Sequence, residues 1–274
     1  MTNSLVLTVA GLTFAVTTPA AEWTAELADR YYPFLSTARP GWRIELRHEP
    51  GIDPAASPWV IHEAQATRFS VGVIAGTIDL AGCRAEVAAS APGYGGSAVD
   101  RAISFILMQV LPRAGDALLL HGVATVRRGW GLAHCGRSGV GKTTTAKLAA
   151  GYADVLVDEN LVINLAGSQP RLLSTPFWGG STPPEMIQRV NRQAPLRALL
   201  LLEHGPEFDL EPLSHGEAVL ALLTTEKVAV ERVSSASAWL AAAEALVAQI
   251  PTYRFYFRPT AEMWPFLDEA LGLE

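Results

Sequence analysis

The segment Gly136-Arg137-Ser138-Gly139-Val140-Gly141-Lys142-Thr143 has the residue types and spacing to grip a nucleoside triphosphate. It satisfies G-x-x-x-x-G-K-[ST] at every fixed position, a pattern that wraps phosphates in backbone amides. Glycine suits such a loop because it reaches positive φ angles without steric cost and leaves room for an anion. Lys142 would reach the β- and γ-phosphates, and the Thr143 hydroxyl would ligate Mg²⁺. The candidate ATP-binding set is therefore Gly136, Ser138, Gly139, Val140, Gly141, Lys142, Thr143 and Thr144. A second group lies 16 residues beyond Lys142, where Val155-Leu156-Val157 runs into Asp158-Glu159. Phosphoryl transfer needs negative oxygens to hold Mg²⁺ and a carboxylate to take a proton from the attacking hydroxyl. A third group, His121-Gly122, closes Leu118-Leu119-Leu120, 15 residues before the loop. Gly122 would let backbone or substrate pass closely. His121 reads equally as a hydrogen-bonded core residue and as a member of a site.

These groups act together only if the surrounding elements bring them to one place. A phosphate loop should leave a strand and open a helix. Trp130 to Cys135 is a short, mostly apolar strand. Thr143 to Ala150 reads as the helix, closed by Gly151. The strand Val155–Val157 is expected beside the loop strand, so that both acids arrive at the same sheet edge. Ala117–Val126 should pair with the loop strand through the tight turn Arg127-Arg128-Gly129. Upstream, Val99 to Leu111 reads as a buried helix with Val99, Ile103, Ile106, Leu107 and Val110 on one face, stopped by Pro112. Downstream come strands at Leu161–Leu165, Arg171–Leu173, Ala198–Leu202 and Tyr253–Phe257. Helices are expected at Ser214–Leu223, Ala236–Gln249 and Thr260–Leu271. The fold class is α/β.

Residues 1 to 95 lean toward β-structure. Strands are expected at Leu5–Val9, Leu12–Thr17, Trp42–His48, Trp59–Glu63, Arg68–Val73 and Gly76–Ala81, with one helix from Ala21 to Tyr32. The apolar start of the chain lacks the basic flank of a signal peptide, and its residues alternate, so it reads as a β-hairpin. Ala91-Pro92-Gly93-Tyr94-Gly95-Gly96 is the strongest break. It divides a β-rich N-terminal region, 1–95, from the nucleotide-binding core, 96–274.

The chain has 274 residues, 49% hydrophobic and 18% charged, which suits a substantial core. A net charge of −6 argues against a general nucleic-acid binder, which needs a basic face. No segment is long and apolar enough to span a membrane. Two cysteines, Cys83 and Cys135, make neither a disulfide framework nor a four-ligand zinc site. They read as reduced packing residues of a cytoplasmic protein.

His-Gly on a strand, then Gly-x-Ser-Gly-x-Gly-Lys-Thr, then a strand closing in an acidic pair resembles the HPr kinase/phosphorylase superfamily. The resemblance covers roughly residues 115 to 270. It implies a P-loop kinase core of the HPr kinase/phosphoenolpyruvate carboxykinase type, here with a β-rich N-terminal region. It also implies ATP and Mg²⁺ as cofactors and transfer of the γ-phosphate to a serine hydroxyl. On that resemblance His121, Lys142, Thr143, Asp158 and Glu159 surround Mg-ATP. Asp158 becomes the general base, and Thr143, Asp158 and Glu159 the metal ligands. Thr175-Pro176-Phe177-Trp178-Gly179-Gly180 and Ala194-Pro195-Leu196-Arg197 look like divergent members, which phosphorylate a serine of a peptide or free serine. The Glu-x-Arg-Gly-Leu-Gly segment of the bifunctional enzymes does not occur, which puts phosphorolysis and HPr as substrate in doubt. Position 159 is Glu where a second Asp is usual. The implied partner is a serine-bearing peptide or protein, or free serine. A homo-oligomer would also accord with the resemblance.

No Leu-Ser-Gly-Gly-Gln or Asn-Lys-x-Asp element occurs, so transporter ATPases and common GTPases do not fit. Arg189, Arg192 and Arg197 form a local basic run that could clamp a phosphate, with Arg192 the best candidate. Trp178 could stack on a base or simply pack. Arg127 and Arg128 read as exposed turn residues. His62, His204 and His215 lack metal-ligand spacing and receive no role. Two other functions compete with a peptide kinase: a free-serine kinase, and a nucleotide-binding partner that has lost catalysis.

Overall fold

The computed structural model describes residues 3–63, 65–178, 182–225 and 236–274. They form a mixed α/β structure that divides into two compact units, residues 1–109 and 110–274.

The first unit opens with β1 (Ser4–Val9) and β2 (Leu12–Thr17), an antiparallel hairpin in the register Val9↔Leu12. Its two-residue turn places Ala10 at φ +48° and Gly11 at φ +82°, the geometry that matches strand twist. Helix α1 (Ala21–Arg30) and strand β3 (Trp42–His48) follow. Then come β4 (Trp59–His62), β5 (Ala66–Val71), β6 (Ile74–Asp79) and β7 (Arg84–Ala89). They form one seven-stranded sheet in the order β1-β2-β3-β7-β6-β5-β4. The strand β7 is absent from the sequence expectation. Its Ala-rich stretch carries weak strand propensity, and only its position between β3 and β6 makes it a strand.

Helix α2 runs from Gly95 to Ala114. It starts four residues before the expected Val99, because the Pro-Gly-Tyr turn at 92–94 leads straight into it. Pro112 lies inside the helix rather than ending it. The four apolar residues Val99, Ile103, Ile106 and Leu107 are fully buried. Within the first unit, the Phe105 ring meets Phe69 edge-on at 5.2 Å. Asp100 accepts hydrogen bonds from Arg30 and, at 2.6 Å, from the Tyr31 hydroxyl. Burial pushes the Asp100 carboxyl up, against the pull of the Arg30 charge.

The second unit contains β8 (Ala117–Arg127), β9 (Trp130–Cys135), α3 (Lys142–Leu148), β10 (Asp154–Val157), β11 (Asn160–Asn164) and β12 (Arg171–Leu173). It continues with β13 (Gln193–His204), β14 (Asp209–Pro212), α4 (His215–Thr225), α5 (Ala236–Gln249), β15 (Thr252–Phe257) and α6 (Met263–Leu271). The eight strands order as β10-β8-β11-β12-β13-β15-β14, with β9 paired to both β8 and β13. The long strand β13 explains why both sheet faces are buried. Leu199 and Leu201 enter one core with Trp239 and Leu246 of α5. Ala198, Leu200 and Leu202 enter the other with Ala146 of α3 and Trp264 of α6. An unbroken apolar run is what a strand covered on both faces requires. Cys83 is half-buried and Cys135 is buried. Among the described residues no helix is long and apolar enough to cross a membrane.

Candidate functional site

The glycine-rich loop joins the end of β9 to the start of α3. Two of its glycines are structurally required. Gly139 has φ +85° and Gly141 has φ +104°, both in the left-handed region. A Cβ on Gly141 would also lie 2.8 Å from Cζ of Phe257. Lys142 is buried, and its Nζ donates to the carbonyl oxygens of Gly136 at 2.6 Å and Arg137 at 3.0 Å. The ammonium thus stands inside the loop rather than in solvent. Thr143 and Thr144 sit half-buried in the first turn of α3, and Ser138 is exposed on the loop's outer limb.

Strand pairing settles which groups are neighbours. Strand β8 pairs with β9 in the register Gly122↔Cys135, so His121-Gly122 lies beside the root of the loop. Gly122 serves the packing of backbones there. A Cβ would come within 2.6 Å of the His134 carbonyl oxygen and 2.9 Å of Leu161 Cδ2.

The acidic pair reaches this place by a route the sequence did not suggest. Strand β10 pairs with β8, not with the loop strand β9. Both β10 and β11 run antiparallel along β8, meeting its register at Val157↔Ala124 and Asn160↔His121. They behave as one strand interrupted at Asp158-Glu159. The interruption is held from both sides. The Gly122 N–H donates to the Glu159 carbonyl at 2.9 Å, and the Thr175 hydroxyl donates to the Asn160 carbonyl at 2.7 Å. Asp158 is buried, 7% exposed, while Glu159 and His121 are half-buried. Asp158 and Glu159 therefore sit at a fixed break between two strands, not on a free turn.

The arginines resolve differently from expectation. Arg192 pairs with Asp154 at 2.9 Å, so its guanidinium is engaged at the start of β10. Arg197 donates to the Leu271 carbonyl through Nε, at 2.9 Å, and Nη2. The Arg189 guanidinium lies 5.0 Å from the centre of the Trp178 ring. Gly179 and Gly180, expected to flank that ring, lie outside the described residues. Arg127 is not an exposed turn residue. It makes a nearly buried two-point ion pair with Asp268.

Two residues at the loop carry no signal in the sequence. His204 and Phe257 are paired in the parallel register of β13 and β15. Their rings stack at 5.8 Å, with His204 Nε2 3.4 Å from the Gly139 carbonyl oxygen. Together they support the loop at Gly139 and Gly141. Nothing local marks them, because only the pairing of two distant strands puts them there.

Among the described residues no cluster of three His, Cys, Asp or Glu side chains could hold a metal by itself. A hydroxyl and two carboxylates nevertheless suit Mg²⁺, which is commonly held by one or two carboxylates together with phosphate oxygens. Thr143, Asp158 and Glu159 offer that donor set.

No family model matches the chain. No curated protein matches it either. Among solved structures it is similar to the Hpr(Ser) kinase/phosphatase from Coxiella burnetii, at 14% identity and a TM-score of 0.32. That match covers 56% of this chain and 87% of the other, and the likeness is a distant one.

Proposed function

We propose that the protein is an ATP- and Mg²⁺-dependent kinase that transfers the γ-phosphate to a serine-type hydroxyl of a peptide or protein. The support is one backbone register. Strands β11, β8 and β9 lie side by side, so that Asp158-Glu159, His121-Gly122 and the root of the glycine-rich loop fall on one line across the sheet. On this reading the loop amides and Lys142 bind the triphosphate. Thr143, Asp158 and Glu159 would hold Mg²⁺, which neutralises phosphate charge when bound. Asp158 accepts the proton of the attacking hydroxyl, and burial among fixed strands keeps its carboxylate oriented. His121, beside both groups, contacts the phosphates. The kinase core of the HPr kinase/phosphoenolpyruvate carboxykinase type belongs to the same proposal.

The test is transfer of label from γ-labelled ATP to three acceptor sets: serine-containing peptides, the proteins of the native host, and free serine. Labelled peptide or protein is expected, with no label when Lys142→Ala replaces the wild type. Label on free serine alone would make the protein a small-molecule kinase. ATP binding with no transfer to any acceptor would make it a silent nucleotide-binding partner.

A further inference from the structure

Strand β12 ends at Leu173, which stands opposite Val162 of β11. Continued by two residues, the same register sets Thr175 opposite Asn160. There a side chain makes the bond: the Thr175 hydroxyl donates to the Asn160 carbonyl at 2.7 Å. Its oxygen also accepts from the Phe177 N–H at 3.5 Å. Pro176, between them, has no N–H and favours an extended Thr175. Thr175 is fully buried, so solvent does not stand in for its hydroxyl. The chain on this side is itself tied down. The Ser174 N–H donates to the Arg192 carbonyl at 2.9 Å, and the Arg192 N–H donates to Ser174 Oγ at 2.8 Å. Arg192 Nη2 and Gln188 Nε2 each donate to the Asp154 carboxylate at 2.9 Å. Ser174-Thr175 and the segment 188–192 therefore hold the stretch from Asp154 to Asn160 at both of its ends.

We propose that Thr175 is a positioning residue for the acidic pair, setting where Asp158 stands through its bond to the Asn160 carbonyl; the proposal rests on the reading of Asp158 as the base. Strand β10 ends at Val157 and β11 begins at Asn160, so Asp158-Glu159 falls between two strands and depends on the anchors at either side. Upstream, Val157 stands opposite Ala124 in the sheet. Downstream, the Glu159 carbonyl accepts from the Gly122 N–H and the Asn160 carbonyl from Thr175, on opposite sides of the strand. Of these anchors Thr175 is the one made by a side chain, so a substitution can remove it and leave every backbone bond in place. A proton acceptor works only within hydrogen-bond reach of the attacking hydroxyl, and a displacement of about 1 Å can cost about 10²-fold in rate. The phosphates lie with Lys142 and Thr143 on this reading, so the loss should fall on turnover rather than on ATP binding.

A double-mutant cycle on label transfer from γ-labelled ATP tests this. Thr175→Val keeps the branched shape and removes the hydroxyl. It should lower kcat about 10- to 100-fold with the KM for ATP within about twofold of wild type. Thr175→Ser, which restores the hydroxyl, should recover most of the rate. In the Asp158→Asn background, Thr175→Val should change the remaining rate by less than about twofold, because a residue acting through Asp158 has nothing left to act on. A Thr175→Val enzyme with wild-type kcat would overturn the proposal. So would an equal loss in both backgrounds, or a raised KM for ATP at unchanged kcat, since each gives Thr175 a purely structural role elsewhere. Should Thr175→Val not fold, Thr175→Ala carries the same cycle with the same outcomes. Near-normal turnover of Asp158→Asn alone would remove the base and this inference with it, whereas an inactive Asp158→Asn beside a fully active Thr175→Val would overturn the role of Thr175 only.

Discussion

Strands β3 and β13 show how differently the two units use a sheet. In β3, Trp42, Ile44 and Leu46 are buried while Arg43, Glu45 and Arg47 are exposed. One face is solvated, and its charges meet each other there. Arg47 lies 2.9 Å from Glu45, and Arg68 of β5 lies 2.6 Å from Glu63. In β13 the run from Ala198 to Leu202 is buried on both faces. A sheet covered on both faces tolerates few polar groups, because each must find a partner. Those in the second unit are therefore informative. Lys142 is buried at the start of α3 and Asp158 at the break between β10 and β11, where backbone carbonyls and strand ends can accommodate charge. His134, the last residue but one of β9, is fully buried and touches Thr125 at 3.0 Å. The solvated sheet spends its polarity on solubility, and the covered one concentrates it where strands end.

That contrast can be broken by substitution. The largest effect should come from Asp158→Asn, which keeps shape but cannot take a proton. Transfer should fall about 10³-fold with an unchanged melting temperature, measured by initial rates. Near-normal turnover would remove Asp158 as the base. Next, Arg127→Ala removes the two-point partner of half-buried Asp268, leaving it Arg128 at 3.2 Å, and should cost about 2 kcal/mol in denaturant titration. A loss within error would mean that the pair contributes nothing net.

The third test is a pH profile. Burial lowers the His134 pKa from about 6.5 to about 3. The unfolded chain therefore binds a proton that the folded one refuses between those values. Stability should be unaffected by this group above pH 6.5 and fall as pH drops toward 3, by about 2 kcal/mol at pH 5. His134→Gln keeps a polar partner for Thr125 but does not titrate, so its profile should be flatter. An unchanged slope would show that His134 is not the group responsible.

Smaller effects belong to the first unit. Gly76→Ala would set a Cβ 2.8 Å from Phe69 Cζ and 2.9 Å from the Glu86 carbonyl oxygen. It should destabilise by about 1–3 kcal/mol and leave ATP affinity untouched. A change in affinity would link the first unit to the nucleotide. Arg68→Ala removes an exposed ion pair and should cost less than about 1 kcal/mol. A larger loss would show that the solvated face carries more than surface charge.

Some of this was legible beforehand. The hairpin β1–β2 followed from alternation and the Ala10-Gly11 turn. The strand–loop–helix around Lys142 followed from a motif whose glycines have only a few uses. The approach of His121 to the loop strand followed from a short turn, Arg128 at φ +50° and Gly129 at φ +84°, that forces adjacent strands together. Other features were hidden. Strand β7 lacks β-branched residues apart from Val87, so its local pattern competes with helix. Pro112 sits in the last turn of α2, so the helix carries on only two residues past it and not through another turn. Arg127 looked like turn surface because its partner lies far along the chain in α6.

What the sequence determined by itself was short-range: the loop's capacity to bend, the alternation of strands, and the carboxylates following an apolar run. These depend on φ preferences and side-chain periodicity, which act over a few residues. The tertiary structure alone decided which strands are neighbours. It set β10 and β11 along one edge of β8, and it brought His204 and Phe257 beneath the glycines. Strand order depends on burying both faces of a whole sheet at once, and no local stretch of chain encodes that sum.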